Sequence, residues 1–159
     1  MKVVMTSDYY TQHMQCTRDE KLNCLPIVRD LIFIGFTVRD FGLLKLDDMI
    51  HDTMRYRDKF LRRAAGLIVE SADMESIEDV LYNLIFNSSN MTNSAFFRSV
   101  LIAEVMMAIG RGEDMDYIFA YLVPSFFGLE YVEQVEKLYY QCKREYMSGG
   151  KAERQATDY

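Results

Sequence analysis

The sequence predicts an all-α fold, a compact bundle of about six helices joined by short loops. Apolar residues recur at helical spacing from Pro26 almost to the C-terminus, which is typical of helices that bury one face. No segment shows a convincing alternation of apolar and polar residues, so we expect no β-sheet. The chain has 159 residues and is 50% hydrophobic, which is enough for one well-packed domain.

The first half of the chain divides into a polar arm and two helices. Residues 1–24 show no clear period and are predicted to form a loosely held N-terminal arm. Pro26 suits the first turn of a helix, which the apolar pattern extends over 26–53. Gly42 interrupts this helix and predicts a kink or the close approach of another backbone, because an interior glycine costs about 1 kcal/mol relative to alanine. A second helix, with one apolar stripe, is predicted at 56–71.

The third and fourth helices have clear start signals. Asp73 is predicted to cap the third helix, and the polar run 87–90 predicts a turn after it. Thr92 or Asn93 is predicted to cap the fourth helix, at about 94–109. Apolar residues surround almost the whole circumference of this fourth helix, which is typical of a helix at the centre of a bundle.

A short helix and an aromatic stretch follow. Asp114 is predicted to cap a helix that runs through Leu122 and that Pro124 and Gly128 then break. The stretch 117–127 is rich in aromatic residues and is less easily buried as a whole. It is therefore the best candidate for an exposed apolar patch. The members of this predicted patch are Tyr117, Tyr121, Phe126 and Phe127.

The last helix is predicted at about 129–147 and carries an apolar seam. The seam residues alternate at spacings of three and four, as in a coiled coil. Docking of the seam onto the chain's own core is the preferred interpretation, and a homodimer seam is the alternative. The helical domain then covers 25–147, and the polar residues 148–159 are predicted to be a disordered tail. The seam comprises Val132, Val135, Tyr139, Cys142 and Tyr146.

Composition and charge exclude several classes of function. The net charge of −6 argues against a nucleic-acid binder, which usually carries a basic patch. Three scattered cysteines cannot form a disulfide framework, so we expect a reduced, cytoplasmic protein. The N-terminus lacks the features of a signal peptide. The longest apolar stretch, 31–38, is too short to span a membrane, and no other window is expected to come closer.

Few residues are candidates for catalysis or metal binding. Asp47 and His51 stand four residues apart and share a helix face, but further metal ligands have no obvious source, so a solvated acidic face is preferred. Glu104 lies in the most apolar helix, where a carboxylate needs a partner. We expect Glu104 to pair with an arginine or to cap a helix end, and a catalytic role or exposure at a packing gap are the alternatives. No nucleophile with a base in reach can be identified from the spacing, so the sequence predicts no enzyme, no metal and no cofactor.

Two blocks of the sequence carry a family resemblance. Residues 38–47 read Val-Arg-Asp-Phe-Gly-Leu-Leu-Lys-Leu-Asp, residues 58–69 join a hydrophobic pair, basic residues and an aliphatic run, and residues 73–81 open a helix with acids. The second block, 98–122, contains a helix with the internal Glu104, which ends in Gly-Arg-Gly-Glu. In this order, both blocks resemble the cytoplasmic region of motility protein A (MotA), the ion-channel stator subunit of the bacterial flagellar motor.

The departures from that family define what the resemblance implies. In the family, transmembrane helices precede the first block and separate the two blocks, whereas here residues 83–93 bridge them directly. The resemblance therefore implies a non-transporting relative of the stator's cytoplasmic domain that acts by protein–protein interaction. It implies contact with the rotor switch protein FliG through Arg39, as the family's basic contact, and Asp47, as its acidic contact. Eight residues along one helix would place these two on roughly the same face.

Two other classes of function stay open. The seam of the last helix and the aromatic patch would suit a dimeric scaffold or regulatory protein unrelated to motility. A pocket between helices, near Glu104 or His51, would suit an enzyme or a small-ligand binder.

Overall fold

The computed structural model describes residues 6–70, 73–89 and 91–157, with side chains to residue 149. This part of the chain contains helices and no strand, which confirms the all-α class. The helices are more numerous than the six expected, because the N-terminal arm contains two of them and the predicted first helix is divided. In chain order they are α1 (Ser7–His13), α2 (Arg18–Leu22), α3 (Leu25–Phe41), α4 (Leu43–Ile50), α5 (Lys59–Val69), α6 (Met74–Asn87), α7 (Asn93–Gly110), α8 (Met115–Tyr117), α9 (Val123–Phe127) and α10 (Val132–Thr157), with a π-helical segment at Ile118–Leu122 and a 3₁₀ turn at Leu129–Tyr131.

Helix α7 is the centre of the bundle. It packs against α5, α6 and α3, and also contacts α1, α2 and α9. Its apolar circumference, predicted from the sequence, is confirmed: 67% of the helix is buried. Among the described residues, α7 is also the one helix long and apolar enough to cross a membrane by length and composition, a test that the core helix of a globular fold passes equally well. The expectation that no window comes closer to a span than 31–38 is therefore wrong.

Predicted helix caps are present in the structure. The side chains of Asp73, Thr92 and Asp114 each accept a hydrogen bond from the backbone N–H three residues further on, at 2.9, 3.1 and 3.2 Å respectively. Each of these bonds satisfies one of the donors that a helix start leaves unpaired. In the N-terminal arm, Thr17 and Glu20 form a reciprocal capping box at the start of α2.

Gly42 divides the predicted first helix into α3 and α4. Its backbone has φ = +83° and ψ = −179°, a region open essentially to glycine alone. Nothing lies within 4 Å of the position that a Cβ at Gly42 would take. Of the two predicted reasons for this glycine, the kink is the one that the structure shows.

Pro124 does not break the helix, contrary to the prediction. The π-helical segment precedes it, and the N–H of Val123 bonds to the carbonyl of Ile118, five residues back. Pro124 then lies in the first turn of α9. Proline is tolerated at this position although it has no backbone N–H to donate. The helix ends instead at Gly128, whose φ is +101°.

The predicted seam of the last helix faces the chain's own core. Val135, Tyr139 and Cys142 are buried, and Val132 and Tyr146 are half-buried. Helix α10 packs on α3, on α9 and on the π-helical segment. It continues to Thr157, through the tail whose disorder stays a prediction.

Candidate functional site

The junction of α3 and α4 exposes two large apolar side chains. Phe41 ends α3 and is 57% exposed, and Leu44, in the first turn of α4, is 82% exposed. Leu44 and Leu46 are two positions apart in α4, so their side chains project from nearly opposite sides of that helix, and only Leu46 is buried. We use the name α3–α4 corner for Arg39 and Phe41, which precede the break at Gly42, together with Leu44 and Asp47, which follow it. Protein contact sites commonly combine an apolar centre with a polar rim.

Arg39 is held in place at this corner. Its Nε lies 3.0 Å from Oδ1 of Asp40, and its guanidinium lies 4.8 Å from the centroid of the Phe36 ring. The hydrogen bond to Asp40 raises the pKa of Arg39 above its usual value. The other carboxylate oxygen of Asp40 accepts a hydrogen bond of 2.8 Å from the Tyr146 hydroxyl. Arg39 therefore presents a positive charge from a fixed position, with its side chain about half exposed.

Asp47 lies on the second helix of the corner, beside His51. The Asp47 carboxylate is 46% exposed and lies 3.9 Å from Nδ1 of His51. The same imidazole nitrogen lies 2.6 Å from the backbone carbonyl of Asp47, so this local contact orients the ring. No group of three or more His, Cys, Asp or Glu side chains that could hold a metal ion occurs within the described ranges.

The predicted shared face of Arg39 and Asp47 relies on a continuous helix, and that assumption is wrong. Gly42 lies between them and leaves the helical region, so eight residues no longer correspond to two complete turns. The structure gives each of the two its own neighbour, Asp40 for Arg39 and His51 for Asp47. Their joint use by one partner depends on the bend at Gly42.

A cleft of about 420 Å³ adjoins the corner on the side of α7 and α8. Arg39 and Glu113 contribute charges of opposite sign, and Gly35 and Met115 contribute its apolar wall. A Cβ at Gly35 would lie 2.8 Å from Cε of Met115, so glycine is what allows α8 to approach α3 here. The cleft extends the corner into a surface with both charges and a concave apolar part.

Glu104 is half-buried and contacts a tyrosine. The hydroxyl of Tyr82, on α6, donates a hydrogen bond to the Glu104 carboxylate. Burial, and then the charge of Glu104, raise the pKa of Tyr82 and also that of Tyr10. The partner that the structure shows is therefore neither the arginine nor the helix end that we expected, and the contact ties α6 to α7.

The predicted aromatic patch is only partly exposed. Tyr117 and Tyr121 are 48% and 71% exposed, and Phe126 is half-buried. Phe127 is fully buried and packs edge-on against Phe97 at 5.3 Å between ring centroids, so its assignment to an exposed patch is wrong. The π-helical segment inserts an additional residue per turn, which rotates Phe127 towards the core.

Sequence reasoning missed the most exposed apolar residue of this region. Leu129 follows Gly128 and is 94% exposed. It lines a cleft of about 390 Å³ together with Tyr121, Pro124 and Val132. Its position in the sequence could have indicated this exposure. Leu129 directly follows Gly128, where the helix ends, so it belongs to no apolar helix face.

Comparisons of the chain with known protein families, with curated proteins and with solved structures find no match.

Proposed function

We propose that this chain is a non-transporting, MotA-like cytoplasmic domain that acts by protein–protein interaction, in the flagellar motor, with the α3–α4 corner as its contact surface. The observation that carries the proposal is the corner itself. Phe41 and Leu44 are exposed apolar side chains, and they lie along the chain between the positively charged Arg39 and the half-exposed, negatively charged Asp47. The sequence block that resembles the stator family covers this same corner.

The chemistry of the corner suits recognition of a charged partner. Complementary charges across an interface set orientation and the rate of encounter, while the apolar contacts supply much of the affinity. Arg39 is pre-positioned by Asp40 and the Phe36 ring, so binding costs little side-chain entropy there. The partner that the resemblance implies is the rotor switch protein FliG.

The test is direct binding of the purified chain to purified FliG, by calorimetry or surface-based kinetics. We expect Arg39→Glu and Asp47→Lys each to slow association and to reduce its salt dependence, and Leu44→Ala to speed dissociation. The matched control is Arg63→Glu, which reverses an exposed charge on α5 that is not one of the corner residues. Circular dichroism verifies that each variant is folded. Absence of binding by the unaltered chain, or equal effects of Arg63→Glu and Arg39→Glu, would refute the proposal.

The alternative function is a helical dimeric scaffold or regulator unrelated to motility. One support for it is weakened, because Val135, Tyr139 and Cys142 of the seam are covered by the chain's own core. A second copy would therefore need a different face of α10.

A further inference from the structure

One face of α10 carries a row of exposed side chains. Its members stand at alternating spacings of four and three, so they form one row along the helix. Tyr140 and Met147 are the large apolar members, 42% and 54% exposed. We call this row the outer stripe. The outer stripe comprises Glu133, Lys137, Tyr140, Arg144 and Met147.

The charges of this face are separated along the helix. Within the outer stripe the acidic member, Glu133, comes first, and the basic members, Lys137 and Arg144, follow it towards the C-terminus. Within the part of the chain whose side chains are described, Glu133 and Arg144 have no ion pair and no side-chain hydrogen bond. The face is thus acidic at one end, basic at the other and unneutralised at both.

Such a face is complementary to itself when reversed. If two copies of α10 lie antiparallel about a two-fold axis, Glu133 of each copy is opposite Arg144 of the other. Lys137 is then opposite the Tyr140 ring, a cation–π pairing. A parallel arrangement would instead oppose acid to acid and base to base, so the charge order selects the antiparallel one.

The apolar ends of the face fit the same arrangement. In this register the exposed Met147 of one copy lies opposite residue 130 of the other, beside Leu129. Leu129 is 94% exposed and forms the rim of the cleft that also includes Tyr121, Val132 and Glu136. A methionine side chain is flexible enough to enter such an irregular apolar cleft. Each copy would thereby cover the most exposed apolar residue of the other.

We propose that the outer stripe of α10 is a homodimer interface, in which two copies of this chain pair antiparallel through Glu133–Arg144 contacts and Met147–Leu129 contacts. The paired segment, residues 129–147, is about 27 Å long. An interface formed by one helix pair is at the small end of the range for specific complexes. The dimer is therefore a weak, reversible one.

Sedimentation velocity of the full chain, from about 10 to 500 μM to cover weak association, tests this proposal. We expect a concentration-dependent monomer–dimer equilibrium. Glu133→Arg or Arg144→Glu alone should raise the dissociation constant about tenfold, because two symmetry-related pairs become repulsive. Leu129→Ala should also raise it. Arg63→Glu, the matched charge reversal on α5, should leave it unchanged.

Mixing the two charge-reversal variants gives the sharpest outcome. In a heterodimer of the Glu133→Arg and Arg144→Glu chains, both contacts join opposite charges, so the equimolar mixture should dimerise as well as the unaltered chain. Circular dichroism verifies that both variants keep their helix content. A chain that stays monomeric at about 500 μM, a dimer that the single reversals do not weaken, or a mixture that does not recover would each overturn the proposal.

Discussion

Substitution of Tyr139 by phenylalanine tests how α10 is fastened to the core. The Tyr139 ring is fully buried between the rings of Phe36 and Phe119, at 6.1 and 5.7 Å between centroids. Its hydroxyl donates a hydrogen bond of 2.5 Å to Oδ1 of Asp116, and Lys143 lies 3.4 Å from the same oxygen. Phenylalanine keeps the ring packing and removes only this bond.

The structure gives the magnitude of the loss. A hydrogen bond to a charged group contributes about 1.5–3 kcal/mol when it is buried. The Asp116 side chain is 54% exposed, so water and Lys143 replace part of the bond, and we expect Tyr139→Phe to lower the free energy of unfolding by about 1–1.5 kcal/mol at pH 7. For a domain of this size the melting temperature should fall by roughly 3–5 °C.

The effect should depend on pH in a defined direction. The Tyr139 hydroxyl, followed by the Lys143 charge, holds the pKa of Asp116 below its usual value. A carboxyl whose pKa is lower in the folded state stabilises the fold above its unfolded pKa of about 3.9, and this contribution is lost as the pH falls through the folded value. The difference between the unaltered chain and Tyr139→Phe should therefore shrink as the pH is lowered from 7 towards about 3.

Urea unfolding followed by circular dichroism at both pH values measures this difference. Tyr140→Phe is the matched control, because it removes a hydroxyl from the neighbouring, partly exposed tyrosine and should change stability by less than about 0.5 kcal/mol. If both substitutions have the same effect, or if the loss for Tyr139→Phe is independent of pH, the reasoning about this bond is refuted.

Three further substitutions have signs that follow from backbone geometry and hydrogen bonding, and urea unfolding measures each of them. Gly42→Ala should destabilise the fold by about 1–3 kcal/mol, because φ = +83° strains any other residue although the site has room. Gly66→Ala should instead stabilise the fold by up to about 1 kcal/mol, since this glycine lies inside α5 with nothing within 4 Å of an added Cβ. A lower free energy of unfolding for Gly66→Ala, or a higher one for Gly42→Ala, would contradict the backbone argument. Tyr82→Phe should cost about 1–3 kcal/mol, because the half-buried carboxylate of Glu104 loses its hydroxyl donor, and an unchanged stability would show that water already satisfies Glu104.

Local signals in the sequence predicted the helices well. The caps at Asp73, Thr92 and Asp114 depend on a side chain and a backbone N–H three residues away, so they can be read without the tertiary structure. The central position of α7 is equally local, because a helix that is apolar all round has no face to expose. These predictions need only the order of residues along one helix.

The errors occur where the helical phase changes. Phe127 was assigned to an exposed patch, and it follows a break in regular α-helix, the π-helical segment. Helical periodicity predicts which residues share a face only while the turn angle is constant. The same limit applies to the candidate site. The family resemblance predicted Arg39 and Asp47 as contact residues, but their relative position depends on the bend at Gly42.

The central position of α7 also constrains the synthesis of the chain. The helices before it, α1 to α6, pack on α7 or on each other around it, and α7 itself begins only at residue 93. At translation rates of about 5–20 residues per second, the 86 residues from the start of α1 at Ser7 to the start of α7 at Asn93 take roughly 4–17 s to synthesise. During that time the apolar faces of the earlier helices have no central helix to cover them. The fold is therefore completed late, and the nascent chain is most prone to aggregate before α7 has been synthesised.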